Sequence, residues 1–358
     1  MEGPWKHNPW YTLFRPYVDA CTRFSYRHVR VEGKENIPWD KAVIIAPNHC
    51  NCLMDALVVL RAHKGPTVFG ARADIFDNKT VASILRFLRI LPMVRKRDGI
   101  RKVLRNYETI DQVVDVLSNG VPFCMFAEGR HRTMHSTLPI NKGIFRIAMA
   151  AHNALDGKKD VVIVPAGIEY GDYFHFRSWS RLRFGKPINV SAAVREHPDL
   201  SEIELFALLR ARLLAGIRSR IVYIPDDEEY DSSWEAFERR FTAREGHDAS
   251  AYRDAGLPRR RWQRKLLAAL ASPLFVAAAL MSAPMWGLSE WLCHCKVKDI
   301  AFRNTARYGV KLIGTILFGI IWAAVLFSLL PWWAATAGLL YFFMSYSIFY
   351  DWLNLVRK

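Results

Sequence analysis

The sequence predicts a layered α/β domain followed by C-terminal transmembrane helices, and three observations predict it. Short β-rich runs alternate with helical patterns from residue 29 to about 224. Mean hydropathy over the whole chain is +0.00, yet the apolar residues concentrate at the C-terminal end. There, segments at about 312–330 and 333–350 each approach the length of about 20 residues that a helix needs to cross a bilayer. With 358 residues the chain is long enough to bury a full core.

Residues 1–28 read as an amphipathic, membrane-associated helix, with Trp5, Trp10, Tyr11, Phe14 and Tyr17 beside Arg15 and Arg23. A helix packed on the domain would show the same pattern, so the residues alone leave both readings open. Lacking a basic start, a long apolar stretch and a small-residue cleavage site, this segment does not read as a secretory signal, and a cytosolic start is expected. Residues 29–224 form the α/β domain. Its strands are expected at AVIIA, TVFGA, ILPMV, VPFCMF, VVIVPAGI, LRFG and INV, and its helices near 53–62, 81–88, 103–117, 144–152 and 203–222.

Residues 225–265 change character, from the acidic PDDEEYDSSWEAF to the basic GLPRRRWQRK, and read as a polar linker or surface insert. Residues 266–358 are the membrane region. Lys and Arg flank the apolar segment at 266–288 on both sides and VRK ends the chain, so by the positive-inside rule these flanks face the cytoplasm. The expectation is about two spanning helices, turning at Pro331-Trp332-Trp333, preceded by one re-entrant or interfacial segment that contains Pro273 and Pro284.

The formal net charge of +16 favours an anionic partner: nucleic acid, an anionic membrane surface or an acidic substrate. Nucleic acid would leave the apolar tail unexplained, and no module for it is present. The six cysteines lack the spacing of a disulfide framework. His49-Cys50-x-Cys52 and Cys293-His294-Cys295 lack the ligand spacing of structural zinc, so no metal is expected.

The chemistry begins in PNHCNCLMDALVVL, residues 47–60, where an apolar run gives way to a helical pattern. Asn51 suits the N-cap of that helix, which places His49 in the strand-to-helix loop and Asp55 in the first turn. There a carboxylate is favoured by the helix dipole and can orient a histidine as a general base, although a cap beside a surface histidine has the same spelling. Further polar groups gather at other strand ends: Arg95 and Arg97 after LRILPMV, Glu128, Gly129, Arg130 and Arg132 in CMFAEGRHRT, Lys142-Gly143 before a helix, and Pro165 at the end of a fourth strand. Strand ends are where α/β folds bind ligands.

Together these blocks resemble the glycerolipid acyltransferase family, the glycerol-3-phosphate and 1-acylglycerol-3-phosphate O-acyltransferases. The NHxxxxD box corresponds to Asn48-His49 through Asp55, a second block to Pro92 through Arg95, the FPEG-type box to Phe126-Ala127-Glu128-Gly129, and a fourth to Val164-Pro165. FGKPI resembles the family's sheet-closing strand. The resemblance implies an acyltransferase domain with a mixed sheet flanked by helices, His49 and Asp55 as the catalytic pair, and Arg95, Glu128, Gly129, Arg130, Arg132 and Lys142 as the substrate-binding candidates. The chain departs from the pattern twice. Five residues rather than four separate His49 from Asp55, and Ala127 replaces the usual proline before Glu128-Gly129-Arg130-His131-Arg132.

Acyl transfer from a thioester needs a base for the attacking hydroxyl and a stabiliser for the oxyanion, but no metal or covalent enzyme intermediate. A phosphate-bearing acceptor needs guanidinium groups. The expected activity is therefore transfer of a fatty acyl group to 1-acyl-sn-glycerol 3-phosphate, with acyl-CoA or acyl carrier protein as co-substrate, no cofactor, membrane lipids as surroundings and the catalytic domain facing the cytoplasm. Glycerol 3-phosphate or another lysolipid is the alternative acceptor. From other classes, an inactive lipid-binding protein of the same fold and a thioesterase using Cys50 stay open.

Overall fold

The computed structural model describes residues 3–94, 100–173, 176–245 and 261–356 of the chain. The sheet is built from β1 (His28–Glu32), β2 (Ala42–Pro47), β3 (Val68–Arg72), β4 (Ile90–Met93), β5 (Phe123–Met125), β6 (Val161–Tyr170), β7 (Trp179–Phe184) and β8 (Ile188–Asn189). Its order is β1-β7-β6-β2-β5-β3-β4, with β8 also paired to β6. β7 and β8 run antiparallel to β6 and the other pairs are parallel, so the sheet is mixed, as expected.

β2 and β6 are buried at every position, which explains why they read as unbroken apolar runs: helices cover both faces. Ala42, Ile44, Ala46, Val161 and Ile163 point to one core, filled from α4 (Ile100–Ser118), α5 (Gly143–Leu155) and α7 (Glu202–Arg218) by residues such as Val116, Ile147 and Leu213. Val43, Ile45, Val162 and Val164 point to the other, shared with α2 (Leu53–Leu60), with Cys21 of α1 (Pro9–Ser25) and with Tyr308. A Ser201–Glu204 capping box starts α7.

Two local expectations are corrected. β6 does not end at Pro165 but continues to Tyr170. Pro165 sits opposite Ala46, between the residues that pair with β8 (Val162, Ile163) and those that pair with β7 (from Ala166), where a missing N–H interrupts neither ladder. Asn51 does not cap α2: the N-cap is Cys52, which makes no side-chain cap, while the Asn51 side chain is buried.

The 225–265 stretch includes α8 (Tyr230–Glu245) and the start of α9 (Arg261–Leu270). Beyond it lie α10 (Ser272–Cys295), α11 (Arg303–Leu329) and α12 (Trp332–Val356). Among the described residues, Ser272–Cys295 and Ile300–Leu329 are long and apolar enough to cross a membrane. α12 is of similar length but carries Tyr341, Tyr346 and Asp351, and it turns back from α11 at Pro331. The polar groups of these helices collect at the end nearest the domain. Glu290 accepts from Arg307 and from the Tyr350 hydroxyl, Lys311 Nζ donates to Ser347 Oγ, and Asp351 accepts from Arg27 and Arg177 of the domain.

Candidate active site

The site begins where β2 runs out. Asn48 ties that end to β6: its side-chain oxygen accepts from the Ile168 N–H at 2.7 Å and its amide donates to the Ile168 carbonyl at 3.1 Å. The next residue is thereby fixed in direction. His49 Nδ1 lies 2.8 Å from Asp55 Oδ2, and because a carboxylate only accepts, the imidazole carries its proton on Nδ1 and keeps the lone pair on Nε2.

Asp55 is fully buried and over-determined. Its Oδ2 also accepts from the N–H groups of Cys50 and Asn51, each at 2.8 Å, and its Oδ1 accepts from the Tyr170 hydroxyl at 2.7 Å. The longer His-to-Asp spacing is absorbed at Cys52, whose backbone stands at φ 48, ψ −127, a conformation that L residues rarely adopt. The His49 ring stacks on Phe126 with centroids 4.2 Å apart, and the edge of His131 meets it at 5.8 Å. The result is a half-buried imidazole held from two sides.

The Phe126–Arg132 loop lies against this pair. Arg132 N–H donates to the His49 carbonyl at 3.0 Å, and the Asn141 amide donates to the carbonyls of Ala127 and Glu128. Gly129 has φ +72, and a Cβ there would come within 2.7 Å of Asn141 Nδ2, so this position requires glycine. Glu128 is buried, and burial pushes its carboxyl up to about 8; the backbone amides of Leu138 and His49 oppose that shift and Asp55 adds to it.

The basic candidates divide. Arg130 is exposed, as is Lys142 at the start of α5. Arg132 is held in an ion pair by Asp226, from the acidic stretch before α8. Arg95, like Arg97, lies outside the described residues. Cys50 is fully enclosed, and burial, reinforced by Asp55 and Glu128, pushes its thiol well up. Burial and Asp55 push the Cys52 thiol up as well. A thiol so placed is a poor nucleophile. Among the described residues no cluster of His, Cys, Asp and Glu could hold a metal ion.

Sequence reasoning missed Tyr170, Asp226 and the groups around His131, whose Nε2 lies 3.1 Å from Asp299 Oδ2 while its ring meets Phe302 edge-on at 5.2 Å. These partners sit far along the chain and carry no local signal. Only Tyr170 had one: it closes the apolar run VVIVPAGIEY.

A histidine at a strand end with a buried carboxylate behind it, beside an acidic-glycine loop, is an arrangement suited to general-base chemistry, and residues 28–169 match the family model described as Acyltransferase. This span, less than half of the chain, is similar to the acyltransferase domains that the model describes. Among its relatives, glycerol-3-phosphate O-acyltransferase 2 of Saccharomyces cerevisiae is 31% identical over 121 residues, 34% of this chain and 16% of that protein. The chain therefore spans well under half the length of the relative it matches. Of the solved structures, the 1-acyl-sn-glycerophosphate acyltransferase PlsC of Thermotoga maritima is 21% identical, with 59% of this chain and 87% of that one covered and a TM-score of 0.39.

Proposed function

We propose that this chain is a membrane-bound O-acyltransferase that moves a fatty acyl group from a thioester, acyl-CoA or acyl carrier protein, to 1-acyl-sn-glycerol 3-phosphate. The observation that carries the proposal is the open Nε2 of His49 backed by Asp55 inside an acyltransferase domain. Nε2 takes the proton from the acceptor hydroxyl as its oxygen attacks the thioester carbonyl. Asp55 supports the imidazolium that results. Collapse of the tetrahedral adduct breaks the C–S bond, and the proton returns from Nε2 to the thiolate, leaving ester, thiol and free enzyme. Arg130, Arg132 and Lys142, with Arg95, are assigned to the acceptor phosphate, Arg132 once Asp226 releases it. Glu128 and Gly129 shape the loop on which the arginines stand.

Glycerol 3-phosphate is the second reading, favoured by the named activity of the yeast relative. Purified protein in detergent, given acyl-CoA with 1-acyl-glycerol 3-phosphate, glycerol 3-phosphate or a phosphate-free lysolipid, separates the two. The first acceptor should turn over fastest. Preference for glycerol 3-phosphate would establish the second reading, and equal turnover of the phosphate-free lysolipid would remove the phosphate from the account.

The positions of the helix ends support an orientation. α11 starts, and α12 finishes, on the side of the domain, because Asn304 donates to the Tyr173 carbonyl and Asp351 binds Arg27 and Arg177. The polar stretch 246–260 has no apolar run with which to cross, so α10 enters and leaves on that same side. A thioester donor is cytosolic, which supports a cytoplasmic domain and C-terminus. A cysteine placed at Lys358 should resist an impermeant reagent in intact cells and react in lysed ones; reaction in intact cells would refute this orientation.

A further inference from the structure

α3 (Lys79–Phe87) is the least covered helix of the catalytic domain: Ala82 is its one buried residue, while Val81, Ile84 and Phe87, with Leu88 just after it, are exposed. Four exposed apolar residues at helical spacing on a domain surface call for a partner. α1 offers a second such stripe alongside. Trp10 (70% exposed), Leu13 (71% exposed), Phe14 and Tyr17 follow one another at helical spacing, and Tyr11 meets Phe87 ring to ring at 6.4 Å, so the stripes of α1 and α3 adjoin.

The partner is indicated by the far end of the α1 stripe. Tyr17 donates its hydroxyl to the Leu312 carbonyl of α11 and meets Phe343 of α12 at 6.4 Å. On α11 the charged residues Arg303, Arg307 and Lys311 come before Leu312, while Ile313, Ile316, Leu317 and Ile320 after it are exposed and apolar. Leu312 thus marks the level at which a bilayer would begin, and the exposed part of the α1 stripe, Trp10, Leu13 and Phe14, lies between Tyr17 at that level and the end of α1 where Tyr11 meets Phe87 of α3. The charge agrees: α3 carries Lys79 and Arg86 and no carboxylate, and such side chains are attracted to anionic headgroups.

We propose that α3 and the exposed stripe of α1 form one lipid-contact surface, lying in the headgroup region of an anionic bilayer beside α11. This rests on the reading of α11 as a membrane helix. Trp10, Leu13, Phe14, Ile84, Phe87 and Leu88 are its apolar face, dipping into the acyl boundary as an amphipathic surface helix does. The sheet is held at the membrane through its β3–β4 edge, between whose strands α3 lies, as well as through the C-terminal helices. An acceptor that lives in the bilayer then meets a domain fixed at one height rather than one that swings from its anchor.

The test places nitroxide labels on full-length protein in vesicles of phosphatidylcholine and phosphatidylglycerol. The background is Cys295→Ser, since the other five cysteines are buried. Labels go at Ile84→Cys, at Leu88→Cys, at Ile320→Cys as the spanning control and at Ala154→Cys as the aqueous control. Accessibility to oxygen and to a polar nickel chelate is compared by electron paramagnetic resonance. Sites 84 and 88 should follow 320, with oxygen favoured several-fold over nickel relative to 154. If 84 and 88 follow 154 while 320 reads as lipid, the surface proposal is wrong and the membrane helix stands. Should 320 itself read as water, the membrane reading fails and takes the proposal with it. Low access to both reagents at 84 and 88 means that protein covers the face, a second copy or another chain, and overturns the proposal.

Discussion

Replacing Asp55 by asparagine should lower turnover by about a hundredfold to a thousandfold while leaving the protein folded and the acceptor KM nearly unchanged. The reasoning lies in how the carboxylate is held. Oδ2 accepts from His49 Nδ1 and from the N–H groups of Cys50 and Asn51, whereas Oδ1 accepts from two rotatable groups, the Tyr170 hydroxyl and, at 3.6 Å, the Cys50 thiol. An amide NH2 in the Oδ2 position would face three donors, so asparagine is forced to place its NH2 toward Tyr170, whose hydroxyl can rotate to accept. Oxygen then stays opposite His49, and the imidazole keeps its proton on Nδ1 and its lone pair on Nε2. What is lost is the negative charge beside the imidazolium of the transition state. Two unit charges about 4 Å apart at an effective dielectric near 20 attract by about 4 kcal/mol, an upper bound that corresponds to roughly a thousandfold in rate. Asp55→Ala differs in kind. It strands buried donors at about 1–3 kcal/mol each and should lower the melting temperature severely. Steady-state acyl transfer and thermal unfolding of both variants check this. An asparagine variant within a few-fold of wild type, or one that unfolds as readily as the alanine variant, would refute the reasoning.

Cys50→Ser and Cys52→Ala should keep most activity, and chelators should not inhibit, because both thiols are buried and raised rather than activated; metal analysis giving stoichiometric zinc would contradict this. Arg130→Ala should raise the acceptor KM by about tenfold, the cost of a charged hydrogen bond to phosphate, with the donor KM little changed. Asp226→Asn should lower the acceptor KM by freeing Arg132, and an equal effect of these changes on a phosphate-free lysolipid would reassign the arginines to the donor or the fold. Glu128 should make stability fall with rising pH: its carboxyl stands near 8 when folded against an ordinary 4.5, so between those values the folded state binds more protons than the unfolded one. Melting temperatures of Glu128→Gln should therefore exceed those of wild type at pH 8 by more than at pH 5, and an equal difference at the two would show that Glu128 is already ionised.

Sequence alone carried most of the sheet, because strands buried on both faces, such as AVIIAP, leave continuous apolar runs. It also carried the His49–Asp55 pair, since both members belong to one loop and one helical turn. The extra residue between them was countable, but that the strain falls on Cys52 depends on the donors that fix Asp55 from behind. Tyr170 reaches Asp55 only because β6 lies parallel to β2 in a register that carries it beyond Pro47, across 115 residues of chain. The pairing of Arg132 with Asp226 and of His131 with Asp299 has no local pattern at all, as charges this far apart in sequence meet only once the helices have packed. Pro165 looked like a strand end because proline usually interrupts a ladder, whereas here two different partner strands meet at its position.

The claim on which the rest depends is that His49 Nε2 takes the proton from the acceptor hydroxyl. Transfer of labelled acyl groups from acyl-CoA to 1-acyl-glycerol 3-phosphate by wild type and by His49→Ala, compared in one detergent and with matched melting curves, tests it most directly. The account predicts that the variant folds and loses at least about a hundredfold to ten-thousandfold in rate. A folded His49→Ala protein that transfers within a few-fold of wild type would contradict it.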